Sequence, residues 1–251
     1  MSDILLREFR EGVEFVRLNR PEKRNAFNRE LSLGVVALFD ELEADDNVRV
    51  VVLTGVDGAF SAGADMTEAL AGVESGSRGD QAAQAIGRVA RFAKPLIGAV
   101  NGYAFGGGAV LALACDLRLA SDRASFRFPG ASYGLVVGGS QLPRIVGPAK
   151  AKELIFTARV VEADEAERIG LVNRVVPHDE LEGSAWELAL QVATQSPSAV
   201  RWSKAVIDAS TIVEKGIEQE IEANRALRGS DDHVARFRAA TERVAGQKDG
   251  S

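Results

Sequence analysis

The tightest constraint in this chain is a pattern that occurs twice: an apolar run, a glycine-rich turn, then a helical stretch. Residues 48–53 are apolar and almost wholly β-branched, broken only by Arg49, and Gly55, Gly58 and Gly63 follow. Leu96–Val100 is apolar throughout, and residues 101–108 bring Gly102, Gly106, Gly107 and Gly108 before the apolar stretch 109–114. Runs without polar alternation are expected of strands buried on both faces, as in a parallel sheet. Parallel strands need helical crossovers. One is predicted over 29–42, where Leu31, Val35, Leu38, Phe39 and Leu42 recur at helical spacing behind Asn28 as N-cap. Another is predicted over 81–92, ended by Pro95.

The remaining α/β signals are shorter. Residues 13–18, 117–120, 125–128 and 172–176 read as strands; 138–146, 149–157 and 162–168 read as helices. The stretch 69–80 is rich in glycine and serine and reads as a loop, with Glu74, Arg78 and Asp80 in it. From Glu180 onward the pattern is helical, with breaks expected near Ser196-Pro197, Gly216 and Gly229-Ser230. The expected organisation is an α/β core over 1–195 and a helical region over 196–251.

Composition narrows the function. Hydrophobic residues are 46% and charged residues 26% of 251, so the chain can bury a core. A net charge of −6 offers no basic surplus for nucleic acid or an anionic membrane. With a single cysteine, Cys115, no internal disulfide can form, which fits a reducing cytoplasm. The N-terminus lacks a signal or transit pattern, and no apolar run nears the ~20 residues of a membrane span.

Several chemistries are missing their signatures: no Gly-x-Ser-x-Gly elbow, no phosphate-binding lysine loop and no dinucleotide glycine pattern occurs. His178 and His233 lack ligand-spaced neighbours and read as surface histidines, so no metal is expected. Cys115 reads as an inert core thiol. The two glycine-rich turns are different. Backbone N–H groups at a strand-to-helix junction can stabilise negative charge on an oxygen. Two such groups converging on a carbonyl make an oxyanion hole. The same glycines also serve tight turns and close helix packing, so the residues alone leave both readings open.

A longer set of motifs narrows this further. Asn19-Arg20-Pro21 with Asn25-Ala26, then residues 51–55, 59–65 and Lys94-Pro95 stand in one order. Residues 101–108, Cys115-Asp116-Leu117-Arg118, Pro143-Arg144, Gly147, residues 170–173 and Val176-Pro177 continue it. Together they resemble the enoyl-CoA hydratase/isomerase (crotonase) family, closely over about residues 5–180 and loosely over the tail. The resemblance implies an α/β superhelix of ββα units with a C-terminal helical region that forms trimers, often paired into hexamers. It implies an acyl-CoA substrate, with coenzyme A entering as part of that substrate and no permanently bound cofactor. Matched by motif, the oxyanion donors are the N–H groups of Ala64 and Gly107. Arg24, Ala26, Ala62, Asp65 and Met66 fall at CoA contacts, with Asp65 also a plausible cap for the next helix.

The departures limit the reaction. The two catalytic glutamates of the usual hydratase fall at Val110 and Gly130. Hydration needs one group to activate water and one to protonate carbon. The resemblance therefore implies a family enzyme poor at ordinary hydration. Thioester hydrolysis, carbon–carbon cleavage and a non-catalytic acyl-CoA-binding role stand as alternatives. Naphthoyl-CoA synthases also carry Val and Gly at these places, but Leu135 replaces the serine expected of them. The family's basic cluster near the C-terminus is replaced by Arg238-Ala239-Ala240. Tyr133, Ser132, Glu68, Ser140 and Gln141 are the polar residues nearest the expected site, and Tyr133 is the candidate donor to an enolate.

Overall fold

The computed structural model describes residues 4–74 and 81–246. It opens with a hairpin of β1 (Leu5–Arg10) and β2 (Val13–Leu18). Glu11 and Gly12 both have positive φ, 52° and 82°, and form the tight turn that right-twisted strands prefer. The helix α1 (Arg29–Ala44) starts where Asn28 accepts the Leu31 N–H and crosses to β3 (Val50–Gly55), parallel to β2.

From there the chain repeats one unit. A long strand enters one sheet, a three-residue strand enters a second sheet, and a helix follows. The first repeat is β3, β4 (Ala59–Ser61), α2 (Met66–Glu74) and α3 (Gln81–Ala90); the next is β5 (Leu96–Val100), β6 (Tyr103–Phe105) and α4 (Gly107–Ala114). The third is β7 (Leu117–Ser121), β8 (Ser125–Arg127), α5 (Leu142–Val146) and α6 (Pro148–Thr157). Then come β9 (Val160–Glu162), α7 (Ala163–Arg168) and β10 (Arg174–Val176). The large sheet has strand order β1-β2-β3-β5-β7-β10 and the small one β4-β6-β8-β9. Each turn of the spiral thus adds one strand to each sheet.

The large sheet is covered on both faces, which accounts for its unalternating sequence. Val51, Leu53, Leu96 and Val100 point into the main core with α1, α3 and α4. Val50, Val52, Ile97 and Ala99 point the other way, against Leu181, Ala185 and Ala189 of α8 (Leu181–Ala193). Three further helices make the tail: α9 (Pro197–Thr211), α10 (Glu214–Leu227) and α11 (Asp231–Gly246). The turn between α8 and α9 is where the boundary at 195 was expected. Among the described residues no helix is long and apolar enough to cross a membrane.

The architecture is the mixed α/β fold of ββα units with C-terminal helices that the resemblance implied. Several local expectations change. Residues 66–74 are helical, so only 75–80 of the expected loop lacks a described structure; Arg78 and Asp80 lie outside the described residues, as does the Glu74 side chain. The segment 138–141 stays out of the helix because Gly138 is left-handed, φ 77°. The last strand starts at Arg174, after Leu171 and Val172 have turned into the core. The tail breaks at Ile212 and Val213, which are extended, and Gly216 sits inside α10.

Candidate active site

The two glycine-rich turns meet at the carboxyl ends of β4 and β6. Gly63 has φ +90° and Gly106 has φ +55° with ψ −120°, conformations that only glycine adopts without strain. A Cβ added to Gly63 would lie 2.7 Å from the Phe105 oxygen and 2.8 Å from the Gly107 nitrogen. One added to Gly107 would lie 3.7 Å from the Ala64 nitrogen. The turns are therefore in van der Waals contact, backbone on backbone.

The orientation of Ala64 follows from its bridge to Phe27. Phe27 donates to the Gly63 carbonyl at 2.7 Å, and Asp65 donates to the Phe27 carbonyl at 2.9 Å. Successive peptide groups in an extended chain point to opposite sides. The N–H of Ala64 therefore points away from Phe27. Gly107 is the first residue of α4, where an N–H has no intrahelical acceptor. Among the described residues neither N–H has a hydrogen-bond acceptor. Two donors this close, one backed by a helix N-terminus, can hold an anionic oxygen.

A polar cluster braces the first turn. Asn25 is fully buried with φ 56°, a left-handed conformation asparagine tolerates. Its side chain accepts from the Arg20 N–H at 2.8 Å and donates to the Val56 and Ala59 carbonyls at 3.0 and 2.7 Å. Asn25→Ala is expected to lose about 1–3 kcal/mol, since it strands buried partners. Urea unfolding followed by circular dichroism measures it; an unchanged midpoint refutes this role.

Arg20 pairs with Asp65 at 2.8 Å and donates to the Ala26 carbonyl at 2.9 Å. The Asp65 carboxylate also caps α2 by accepting from Thr67 at 3.1 Å. Burial alone would raise the Asp65 carboxyl, but the Arg20 hydrogen bond, the Glu68 amide and the Arg20 charge together hold it below the ordinary range. Ala62 donates to the Arg24 carbonyl at 2.9 Å. The Arg24 guanidinium is 5.1 Å from the Tyr103 ring centre. Thus Arg24, Ala26, Ala62, Ala64, Asp65 and Met66 do come together around one turn, with Asp65 engaged by the protein itself.

On the other side of α4, Val110 is half-buried and Gly130 is buried. Gly130 opens a 3-10 turn, Gly130–Tyr133, and the loop after it folds back onto it. A Cβ on Gly130 would lie 2.8 Å from the Val137 nitrogen and 2.9 Å from the Leu135 oxygen. A Cβ on Gly138 would be 3.7 Å from Cγ2 of Val110. Val110, Gly130, Val137 and Gly138 therefore form one wall. Tyr133 lies edge-on to Phe237 of α11, with ring centres 5.8 Å apart.

His233 corrects the surface expectation. It is 1% exposed, and its Nδ1 lies 2.7 Å from the Tyr133 carbonyl. It is buried because α11 packs down on α2 and the Gly130–Tyr133 turn. His178 is half-buried at the start of a short turn before α8. Glu68 is exposed, and its carboxylate accepts from the Arg29 N–H at 3.0 Å, which caps α1 from outside. Cys115 is buried, and burial pushes its thiol up to about 12, which leaves it unreactive near neutrality. Sequence reasoning missed Glu220 and Asn224, whose side chains reach the 136–140 backbone. Nothing local marks them, because α10 is generally polar.

Known proteins match this chain in sequence and in fold. Residues 8–245 match the family model described as enoyl-CoA hydratase/isomerase. The short-chain-enoyl-CoA hydratase of Clostridium acetobutylicum is 41% identical over 215 residues, covering 83% of this chain and 82% of that protein. The crystal structure of an enoyl-CoA hydratase/isomerase from Pseudoalteromonas atlantica T6c superposes with a TM-score of 0.87 at 30% identity, covering 96% of this chain and 98% of that one. A monofunctional enoyl CoA isomerase from M. smegmatis gives a TM-score of 0.71 at 36% identity, covering 84% and 94%. A match running from the first hairpin into the last helix, at this identity, carries the conclusion that the chain belongs to the enoyl-CoA hydratase/isomerase family.

Proposed function

We propose that this enzyme binds an acyl-CoA thioester and stabilises its enolate through the N–H groups of Ala64 and Gly107. The observation that carries the reading is the backbone contact between their turns, with both donors lacking a protein acceptor among the described residues. Such preorganised donors act where charge develops and typically contribute ~10²–10³ in rate each. The CoA moiety would lie along Arg24, Ala26, Ala62, Asp65 and Met66. Arg24 is an exposed cation there, suited to phosphate. The acyl group would face Val110 and Gly130. Tyr133 is the candidate donor to the enolate.

Val110 and Gly130 stand where family hydratases carry glutamates, so we infer a poor hydratase. That favours a second reading, thioester hydrolysis or carbon–carbon cleavage, which uses the same oxyanion site. A non-catalytic acyl-CoA-binding role would show binding without turnover. We further propose a homotrimer or hexamer. Trp202, Val206, Ile207 and Ile221 are 73%, 61%, 61% and 53% exposed on α9 and α10, large apolar side chains that a subunit contact would cover.

The test is titration with acetoacetyl-CoA, whose enolate absorbs distinctly, beside CoA alone. The expected result is an enhanced enolate band and tighter binding than CoA. Binding no tighter than CoA, with no band change, overturns the thioester reading. Thiol release from a series of acyl-CoAs then separates hydrolysis from binding alone.

A further inference from the structure

The wall formed by Val110, Gly130, Val137 and Gly138 is held from outside by the tail. Residues 136–140 are irregular and leave backbone groups without secondary-structure partners. The tail supplies those partners. The Glu220 carboxylate of α10 accepts from the N–H of Gly138 at 2.9 Å and of Ser140 at 2.7 Å. One helical turn on, Asn224 accepts from the Val136 N–H at 2.9 Å and donates to the Val136 carbonyl at 2.7 Å. His233 of α11 meets the Tyr133 carbonyl at 2.7 Å.

These contacts converge on the glycines that shape the wall. Left-handed Gly138 sits between Glu220 on one side and Val110 and Phe128 on the other, with a built Cβ 3.7 and 3.1 Å from those two. Val136 is followed by Val137, whose nitrogen lies 2.8 Å from a Cβ built on Gly130. Moving the 136–138 backbone outward would therefore open space at both Val110 and Gly130.

From this we infer that Glu220 and Asn224 are positioning residues that set the fit of the acyl group. They do so by pressing the 136–138 backbone against Val110 and Gly130. Neither residue is assigned contact with substrate, and the inference rests on the thioester reading above. It requires an acyl group with an apolar face, because the wall presents Val110, Val137 and glycine backbone. It also requires that the CoA part be indifferent to these residues, since Arg24, Ala26 and Ala62 lie on the opposite turn.

The experiment measures dissociation constants of the full-length chain for acetoacetyl-CoA and for CoA alone. The variants are Glu220→Ala, Glu220→Gln and Asn224→Ala. Glu220→Ala removes two charge-assisted bonds and is expected to weaken acetoacetyl-CoA about tenfold, with CoA changed less than about twofold. Glu220→Gln keeps one acceptor oxygen and is expected to fall between. Should Glu220→Ala not fold, Asn224→Ala gives the same reading through Val136. Unchanged acetoacetyl-CoA affinity, or a parallel loss for CoA, overturns the positioning role. Were the wild type itself to show no preference for acetoacetyl-CoA over CoA, the thioester reading would fail first. A preference that survives in every variant would sink only the tail's role.

Discussion

Gly63→Ala is expected to abolish the enolate band of bound acetoacetyl-CoA, while Gly58→Ala leaves it intact. Both glycines are left-handed, with φ +90° and +68°. Both substitutions therefore carry backbone strain, of order 1 kcal/mol. Their surroundings differ. A Cβ on Gly58 meets nothing within 4 Å, whereas one on Gly63 comes within 2.7 Å of the Phe105 oxygen and 2.8 Å of the Gly107 nitrogen. Those atoms are backbone and cannot swing aside. The turns must part, and the Ala64 and Gly107 N–H groups part with them. Loss of aligned oxyanion donors costs about 10²–10³ in rate. The pair thus separates damage to the site from damage to a turn. A Gly63→Ala protein with a wild-type band would show that these two N–H groups do not hold the thioester oxygen.

Hydration of crotonyl-CoA, followed by loss of conjugated-thioester absorbance, is expected to be far below an ordinary turnover of ~1–10³ s⁻¹. A general acid or base typically contributes ~10²–10⁴, and the two positions that the family resemblance assigns to such groups hold Val110 and Gly130. Val110→Glu is expected to raise the rate by about 10², because that site is half-buried and restores one carboxylate. Gly130→Glu is expected to do the opposite. Its Cβ would lie 2.8–2.9 Å from backbone atoms of Val137 and Leu135, so the loop must move. Overpacking of this kind costs about 1–3 kcal/mol. The double variant should therefore be less stable than Val110→Glu and no better as a hydratase. A wild type that hydrates crotonyl-CoA at an ordinary rate would mean another residue does the acid–base work.

These two predictions probe different levels of the molecule. The first depends on local backbone chemistry, already visible as Gly63 and Gly106 between a strand and a helix. The second depends on a loop whose packing no motif displays. The short strands β4, β6 and β9 belong with the second kind. Three residues cannot show a period of two, and they become strands only because a second sheet forms beside them.

Buried strands, helix caps and glycine turns were legible in the sequence because each is a local preference. The apolar run ending at Leu53 had to be covered on both faces, Asn28 had to start a helix, and the turns at Gly63 and Gly106, where backbone meets backbone, had to be glycine. The resemblance then supplied the α/β superhelix, since its motifs are these same turns in order. Tertiary structure alone decided that Gly130 is closed over by Val137 and Leu135. It alone buried His233 against Tyr133 and brought Glu220 to Gly138, 100 and 82 positions away in the chain. A side chain on a polar helix carries no mark of the backbone it will meet. That pairing is settled only when α10 and α11 pack onto the core, where unsatisfied N–H and C=O groups must find partners.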